Sequence, residues 1–320
     1  MKAMIHRRYG GPETMELADR PMPEIDDEQV LVRVRAASVN AYDWHLLRGR
    51  PFLARFGEGF RRPKTEATGV DASGIVEAVG KAVTDLQPGD EVYGGRVGAF
   101  GEYVAGRSFV PKPANLSFEE AAAVPMAGQT ALQALRDKAK VQPGQHVLVT
   151  GAGGGVGTFA VQIAKAYGAT VTAMTRPSKA DLLRSLGADH VIDRDALATT
   201  DLKADVVIDV AGYRGLGEFR RVMAPGATFV LVGPAGGDWL GPILHVGAAV
   251  LRTKAGRGRF LPFLAQTRTE DLLALKDLIE AGKVRPVVDR VFPLQQADEA
   301  VRYLEDGQVT GKVVVRVSEG

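Results

Sequence analysis

The 320-residue chain contains no cysteine. Without thiols it can form no disulfide and has no cysteine nucleophile. It also lacks the thiolate ligands that many zinc sites use. Disulfide-stabilised folds, thiol catalysis and cysteine-ligated zinc are therefore excluded before any motif is considered.

The chain also lacks an excess of charge of one sign, since 40 Lys and Arg face 38 Asp and Glu for a net charge of +2. This balance gives no reason to expect nucleic acid or a membrane as partner. No apolar run reaches the length of a membrane span, and Met1–His6 leads into a predicted strand without a signal-peptide pattern. We expect a cytoplasmic protein.

The composition, 45% apolar and 24% charged, is that of a globular protein, and the length suggests two domains. Residues up to about 115 are predicted to be β-rich. Gln29–Ala36 alternates apolar and charged residues, as a half-buried strand does, and Gly74–Gly80 and Glu91–Gly94 are typical of short strands. Ser117–Glu120 resembles a capping box and predicts the start of a helix.

From Gln145 onward the pattern changes to strands that alternate with helices. The predicted strands are His146–Thr150, Thr170–Thr175, His190–Ile192, Asp205–Val210 and Phe229–Val232. Such short apolar runs are typical of a parallel sheet covered on both faces, so the middle third is predicted to be a doubly wound domain. The tail is predicted to contain two amphipathic helices and a final strand, which are Thr269–Ala281, Ala297–Glu305 and Gly311–Val317.

A glycine-rich turn, Gly151–Gly157, joins the first of these strands to a helix. Such a turn directs unpaired backbone N–H groups and the positive end of a helix dipole at one point, and glycine allows close approach. A pyrophosphate fits there, and the strands on either side supply the expected context. We predict a dinucleotide site whose cofactor-binding residues here are Gly153, Gly154, Gly155 and Val156.

The second strand of this domain indicates which dinucleotide binds. NAD sites commonly place a carboxylate at the end of that strand, and here none occurs before Asp181. Hydroxyl and cationic groups, which suit a 2′-phosphate, stand there instead. We therefore predict NADP(H), although an exposed basic turn is the simpler alternative. The residues predicted to bind the 2′-phosphate are Thr175, Arg176, Ser178, Lys179 and Arg194.

Two short segments are strongly basic. The first lies within Arg48–Lys64, and the second within Arg252–Arg259. Solvated surface loops are the simplest interpretation of both. The alternatives are a mobile lid near a site for the first, and a phosphate or a neighbouring subunit as the partner of the second.

Several separated motifs agree on one family. They are Tyr9-Gly10-Gly11-Pro12-Glu13, Ala37–Asp43, Gly69–Val76, Pro88–Gly94, Ala121–Pro125, the glycine turn and Gly187–Asp193. In this order they resemble the zinc-free quinone oxidoreductase-like branch of the medium-chain dehydrogenase/reductase superfamily. The resemblance implies an α/β protein with a GroES-like β-rich catalytic domain, residues 1–120 and 266–320. It also implies a Rossmann NADP(H)-binding domain, residues 121–265, and a homodimer formed through edge strands of the coenzyme domain.

The chain departs from the zinc-dependent members of this superfamily where they bind metal. Asn40 stands at the position of their cysteine ligand, Val70 and Asp71 stand at the positions of a histidine and a glutamate, and Met126 lies near the third ligand region. Catalytic zinc needs about three converging N, S or O ligands. We therefore expect no metal, although Asp43, His45 and Asp71 form a conceivable oxygen and nitrogen ligand set.

Without zinc to polarise a carbonyl, the expected substrates are those that accept hydride readily, namely quinones and α,β-unsaturated carbonyls. By resemblance, Tyr42 is the candidate hydrogen-bond donor to the substrate oxygen, and His45 is a candidate proton donor or cofactor contact. Each also has a purely structural interpretation. The further cofactor contacts expected by resemblance are Asn40 and Thr130. Val232, Gly233 and Pro234 are expected to line the nicotinamide side because ligands of open α/β sheets bind at the carboxyl ends of strands, and Gly311 and Lys312 are candidates to close over the site.

Two other functions stay open at this point. One is an NAD(P)-dependent alcohol dehydrogenase, against which the missing ligand set argues. The other is an NADPH-binding sensor or adaptor without turnover, because intact cofactor motifs do not by themselves imply catalysis.

Overall fold

The computed structural model describes residues 1–50, 52, 55–232 and 258–318. The chain forms two compact units, which we call unit 1 and unit 2 and describe separately. Unit 1 comprises Met1–Ala127, Thr267–Glu280 and Pro286–Gly320, and unit 2 comprises Gly128–Gln266 and Ala281–Arg285.

Unit 1 is dominated by β-structure. Its strands are β1 (Lys2–His6), β2 (Met15–Asp19), β3 (Val30–Val39), β4 (Asp71–Val79), β5 (Glu91–Gly95), β6 (Tyr103–Gly106), β7 (Phe109–Pro111), β14 (Val288–Pro293) and β15 (Lys312–Arg316). The larger sheet has the order β14-β15-β3-β4-β5-β7, and β6 pairs with β3. Its pairs are antiparallel except for β14 with β15, while β1 and β2 form a separate antiparallel pair.

The first half of strand β3 alternates between buried and partly buried residues, whereas its last four residues are all buried. Val30, Val32 and Val34 are buried, while the residues between them are only partly buried, so successive side chains alternate between two environments. Strand β15 returns from the C-terminal tail and pairs with β3, with Val314 opposite Ser38. The helices of unit 1 are α1 (Ala41–Arg48), α2 (Arg55–Glu58), α3 (Phe118–Ala122), α7 (Thr269–Glu280) and α8 (Ala297–Glu305).

The described part of unit 2 contains a parallel sheet of six strands. These are β8 (His146–Thr150), β9 (Thr170–Thr175), β10 (His190–Asp193), β11 (Ala204–Asp209), β12 (Met223–Val232) and β13 (Arg259–Phe263). Their order is β10-β9-β8-β11-β12-β13, so the chain reverses direction across the sheet between β8 and β11. Helices α5 (Gly155–Ala166) and α6 (Ala180–Ser185) belong to this unit, and α4 (Pro125–Gln133) leads into a π-helical stretch at Ala134–Ala139.

The doubly wound domain predicted for the middle third is confirmed. The apolar residues of β8 and β11 are almost completely buried, as expected for strands covered on both faces. The capping box at Ser117 is also present, since its hydroxyl accepts from the N–H of Glu120 and the Glu120 carboxylate accepts from the N–H of Ser117. No helix in the described parts of the chain is long and apolar enough to cross a membrane.

Two strands differ from the sequence prediction. Strand β12 begins six residues earlier than expected, at Met223, where Pro225 and Gly226 hide the apolar pattern and the pairing with β11 shifts register. Strand β13 was not predicted, because it contains Pro262. Its place at the sheet edge explains the strand, since proline is tolerated on edge strands.

An aromatic stack in the core of unit 2 provides a test of this packing. The ring centroid of Phe229 lies 5.0 Å from that of Phe219 and 5.5 Å from that of Phe260. Because Phe229 is fully buried, we expect Phe229→Ala to lower the free energy of unfolding by about 3–5 kcal/mol. Urea denaturation measures this change, and Phe56→Ala, at a ring that is 73% exposed, is the matched control. Equal effects of the two substitutions would contradict the assigned core.

Candidate functional site

The glycine turn of unit 2 forms a cradle at the end of β8. Gly151 adopts a left-handed conformation (φ +61°), and α5 begins at Gly155. A Cβ at Gly157 would lie 2.3 Å from the carbonyl oxygen of Gly151, so only glycine permits this close approach. A Cβ at Gly154 would meet nothing closer than 3.4 Å. The space beside Gly154, at a helix N-terminus, suits a phosphate.

The end of the neighbouring strand β9 lies against this cradle. A Cβ at Gly153 would meet the Lys179 side chain at 2.5 Å and the Thr175 hydroxyl at 2.9 Å. The Lys179 ammonium donates to the carbonyl oxygen of Gly153 over 3.3 Å. The structure therefore brings three of the predicted cofactor residues together. Thr175 is the last residue of β9, and Lys179 ends the 3₁₀ turn Pro177–Lys179.

The other predicted 2′-phosphate residues surround the same strand end. Arg176 and Ser178 are exposed on the turn after β9. Arg194 is exposed directly after β10, the strand beside β9, and its carbonyl accepts from Arg214. Asp181, the first carboxylate after β9, forms an ion pair with Arg184 at 2.8 Å. The end of β9 therefore presents hydroxyl and cationic groups.

The remaining cofactor candidates outside α1 are more scattered. Thr130 lies in α4 and is 8% exposed. Val232 is the last residue of β12, which places it at the carboxyl edge of the sheet. Gly233 and Pro234 lie outside the described residues, as does most of the second basic segment.

Helix α1 of unit 1 carries both candidate catalytic residues. Tyr42 is 41% exposed, and burial, followed by the charges of Glu58 and Asp43, raises the pKa of its phenol. The His45 ring stacks on Trp44, with centroids 3.7 Å apart. Its Nδ1 lies 3.1 Å from the carbonyl oxygen of Arg50, which assigns the Nδ1 proton to this contact. Their catalytic roles stay predictions.

The basic segment after α1 is partly built into the fold. The guanidinium of Arg48 donates to both carboxylate oxygens of Glu305, at 2.6 and 3.0 Å. Arg55 stacks on the Tyr9 ring at 4.4 Å and donates to the carbonyl oxygens of Arg48 and Gly49. Arg61, Arg62 and Lys64 are exposed. Arg48 and Arg55 therefore have structural partners, as does Arg50, whose guanidinium lies 5.7 Å from the Phe52 ring centroid, whereas Arg61, Arg62 and Lys64 face solvent.

A buried polar network lies where metal ligands were sought. Asn40, Asp71 and Lys312 are 6%, 1% and 3% exposed. The Lys312 ammonium donates to Asn40 Oδ1 and to the carbonyl oxygen of Val39, and it lies 3.9 Å from Asp71 Oδ2. Asn40 Nδ2 in turn donates to Asp71 over 3.0 Å. Both ends of the Asn40 amide are therefore engaged within unit 1, and its predicted contact with the cofactor stays a prediction.

The network does not fit a metal ion. Its centre is already a cation, because the Lys312 ammonium contacts the same Asn40 and Asp71 oxygens that a metal would need. Val70 has an apolar side chain, and Met126 contributes its backbone N–H to Asp71 rather than a ligand. Across the described residues, no group of three or more His, Asp and Glu side chains is arranged to hold a metal.

Asp43 joins this network from the first turn of α1. Its Oδ2 accepts from the backbone N–H of Asn40 at 2.7 Å, so the side chain closes over the start of the helix. Unlike most such residues it is buried, and its Oδ1 has no hydrogen-bond partner among the described residues. Burial raises the pKa of Asp43 to about 7, reinforced by Asp71 and opposed by the Asn40 N–H and Lys312.

Sequence reasoning missed the roles of Lys312 and Asp43. It treated Lys312 as a candidate to close over the site, and it placed Asp43 in a conceivable ligand set for a metal. One feature of the sequence sets Lys312 apart, because it is a charged residue at the first position of the apolar strand Lys312–Arg316. Nothing local shows that this lysine lies beside Asn40, which is 272 residues away in the chain.

Comparison with known proteins identifies the family. Residues 26–114 match the alcohol dehydrogenase GroES-like domain, and residues 186–315 match a family described as zinc-binding dehydrogenase. A 2-methylene-furan-3-one reductase from Solanum lycopersicum is 35% identical over 98% of this chain and 79% of its own length. The chain belongs to the medium-chain dehydrogenase/reductase superfamily. The predicted GroES-like and Rossmann-like fold class is thereby confirmed.

Other relatives agree on the type of enzyme. An NADPH-dependent alkenal/one oxidoreductase of Arabidopsis thaliana is 35% identical over 98% of this chain and 79% of that protein. The structure of a quinone oxidoreductase from Coxiella burnetii matches with a TM-score of 0.88 and 32% identity, covering 99% of both chains. The protein is an oxidoreductase of the quinone and enone reductase type, and we refer to it below as the reductase.

The raised pKa of Asp43 predicts how the stability of the reductase depends on pH. The unfolded chain releases this proton near pH 4 and the folded protein near pH 7, so the folded state binds more protons between these values. The free energy of unfolding therefore falls as the pH rises through this range. Asparagine cannot ionise. We therefore expect the free energy of unfolding of Asp43→Asn to rise relative to that of the wild type, by on the order of 2–4 kcal/mol, as the pH is raised from about 4 to about 7.

Urea denaturation of both proteins across this range measures the difference. Asp90→Asn is the matched control, because Asp90 also accepts a backbone N–H, at 2.9 Å, but lies near the surface of the same unit. A stability difference between Asp43→Asn and wild type that does not change with pH would contradict the raised pKa.

Proposed function

We propose that the reductase is NADPH-dependent and zinc-independent and transfers hydride to a quinone or an α,β-unsaturated carbonyl. The observation that carries this proposal is the Lys312 ammonium, which occupies the contacts of Asn40 and Asp71 that a metal would need. Zinc-assisted alcohol oxidation needs a ligand set that these residues do not form. Conjugated acceptors need no metal, because the negative charge that develops spreads onto a conjugated oxygen.

The residues of unit 2 fit NADPH. The cradle at Gly153 and Gly154 offers backbone N–H groups at the N-terminus of α5, which favours the pyrophosphate. The 2′-phosphate would be held by Thr175, Arg176, Ser178, Lys179 and Arg194, because charge-assisted hydrogen bonds to an anion are the strong ones. When bound, NADPH supplies the hydride. We assign Thr130, Val232, Gly233 and Pro234 to the nicotinamide portion.

The residues of α1 would handle the acceptor. The Tyr42 phenol donates a hydrogen bond to the substrate oxygen as negative charge develops there. Its raised pKa keeps the phenol protonated, so it is a donor at every physiological pH. His45 holds a proton on Nδ1, which faces the carbonyl oxygen of Arg50. We assign its Nε2 to a contact with the cofactor ribose or to proton transfer. Asn40, through its bonds to Lys312 and Asp71, holds the start of this helix in place.

We also propose that the reductase is a cytoplasmic homodimer that binds a small-molecule acceptor and neither nucleic acid nor membrane. Parallel sheets leave unpaired backbone groups at their edges, and among the described strands of unit 2 the outer two are β10 and β13. Pairing of one of these strands with its copy in a second chain would satisfy those groups.

Single-turnover kinetics tests the activity. The NADPH-bound protein is mixed in a stopped-flow instrument with 1,4-benzoquinone or with an aliphatic enone, and oxidation of NADPH is followed by absorbance. We expect rapid oxidation with at least one of them, and no oxidation of simple alcohols with NADP⁺. Tight binding of NADPH without transfer to any acceptor would support the sensor instead.

Chelation separates the reductase from the alcohol dehydrogenase alternative. Because Lys312 fills the contacts that a metal would need, we expect dialysis against EDTA to leave the rate of NADPH oxidation unchanged. Elemental analysis before and after dialysis is the control. Zinc that is present in stoichiometric amount and is lost together with activity would overturn the proposal.

Substitutions at the end of β9 test the choice of NADPH over NADH. We expect Arg176→Ala and Lys179→Ala each to raise the Kd for NADPH about 10-fold or more, and to change the Kd for NADH little, because NADH lacks the 2′-phosphate. Fluorescence titration measures both constants. Equal weakening of both cofactors by Arg176→Ala would contradict the assignment.

Two further variants serve as controls for the fluorescence titration of NADPH and NADH. Arg184→Ala removes a nearby arginine whose partner is Asp181, so neither constant should change. Gly154→Ala adds a Cβ that would lie 3.4 Å from the carbonyl oxygen of Gly151, an ordinary contact, but that a bound pyrophosphate would meet. We expect it to weaken both cofactors alike while the protein stays folded.

A further inference from the structure

Two carboxyl groups and one ammonium are buried together at the start of α1. Asp43, Asp71 and Lys312 come from α1, β4 and β15, and each is less than one-tenth exposed. If all three were ionised, the group would carry an uncompensated negative charge away from water. Burial of an unpaired charge is costly, whereas one added proton makes the group neutral.

Burial raises the pKa of both Asp43 and Asp71 and lowers the pKa of Lys312, and the hydrogen bonds distinguish the three groups. Asp71 accepts from Ser38 at 3.4 Å, from Asn40 at 3.0 Å and from the Met126 N–H at 3.1 Å, which is the environment of a carboxylate. The Lys312 nitrogen faces three acceptors, which are Val39 O, Asn40 Oδ1 and Asp71 Oδ2, and this is the environment of an ammonium.

Asp43 is left as the member that takes the proton. One of its oxygens accepts a single backbone N–H, and the other is buried without a hydrogen-bond partner among the described residues. An ionised carboxylate would leave that oxygen with charge and no donor, while a carboxylic acid would not. The two carboxyl groups of this cluster therefore lie in different environments, so that one can be ionised while the other is protonated.

We propose, on the basis of the reductase function proposed above, that Asp43 is a positioning residue whose neutral form is required for turnover. Tyr42 lies next to it in α1 and is the residue through which it acts. The charged and titratable groups that face Asp43 are Asp71 and Lys312, and those that face Tyr42 are Asp43 and Glu58.

The physical reason is the charge that develops during reduction. Hydride adds to the acceptor and leaves a negative oxygen, which accepts a hydrogen bond from Tyr42 and takes its final proton from solvent. An ionised Asp43 would place a second negative charge beside Tyr42 and weaken that donor, because its charge raises the pKa of the phenol. When Asp43 is neutral, this second negative charge is absent, and the positive charge of Lys312 compensates the negative charge of Asp71.

The pH dependence of single-turnover NADPH oxidation tests the proposal. For the wild type we expect the rate to fall about 10-fold per pH unit at pH values above the pKa of Asp43, and we call this fall the alkaline limb. Asp43→Asn is neutral at every pH, so it should keep the low-pH rate and lose this alkaline limb. Lys312→Gln removes a positive charge that favours the ionised acid, so the limb should move to higher pH. Asp90→Asn is the matched control and should behave like wild type.

Several outcomes would overturn the proposal. They are an Asp43→Asn enzyme that is inactive at every pH, one that keeps the alkaline limb, and a Lys312→Gln enzyme whose limb moves to lower pH. The first of these would mean that the Asp43 proton is itself consumed or that its charge is needed.

A measurement on the unmodified protein separates this proposal from the reductase function. Carbon-13 NMR of the chain labelled at the aspartate carboxyl carbons follows each acid during a pH titration, without substrate or substitution. We expect one aspartate to titrate well above the others, and its signal to be absent from Asp43→Asn. If no acceptor is reduced but this signal is present, the proposed function fails and the neutral Asp43 stands. If every aspartate titrates in the usual range, the neutral Asp43 fails whatever the activity.

Discussion

The ammonium of Lys312, buried beside Asp71, is the interaction on which the candidate acceptor residues depend. It joins the last strand of the chain to the end of β3 and to the first residues of α1 through Val39 and Asn40. A charge removed from water is stable only when it is paired and hydrogen-bonded, so this contact specifies one arrangement of the backbone. Tyr42 and His45 follow directly from that point, and their position is set by it.

The cofactor site rests on a different and more local constraint. A short strand, a turn of glycines and the first turn of a helix create the phosphate cradle within about a dozen residues, and the close approach at Gly157 explains why glycine stands there. The cationic residues follow one strand later, at the adjacent position in the sheet. The proximity of these candidate residues was therefore visible in the sequence, because neighbouring strands in the chain are here also neighbours in the sheet.

Prediction from the sequence succeeded where the signal was periodic and failed where it was not. The bounds of β8 and β9 agree with the prediction to the residue, because apolar runs bounded by polar residues mark them clearly. Strand β13 was missed because a proline normally argues against a strand. The sequence does not show that this strand lies at the edge of the described sheet, where proline is tolerated. For the candidate site, Gly153, Thr175 and Lys179 lie together as the sequence pattern suggests. The partnership of Asp43 with Lys312 has no counterpart in the sequence pattern.

The sequence by itself determined the doubly wound sheet, the glycine turn and the basic end of β9, because each is a property of residues close together in the chain. Only the tertiary structure decided which groups surround Asn40 and Asp71 and how the environments of Asp43 and Asp71 differ. Those outcomes depend on a lysine brought across 272 residues and on how completely each carboxyl is removed from water. Burial and charge pairing are properties of the folded chain, and no local pattern encodes them.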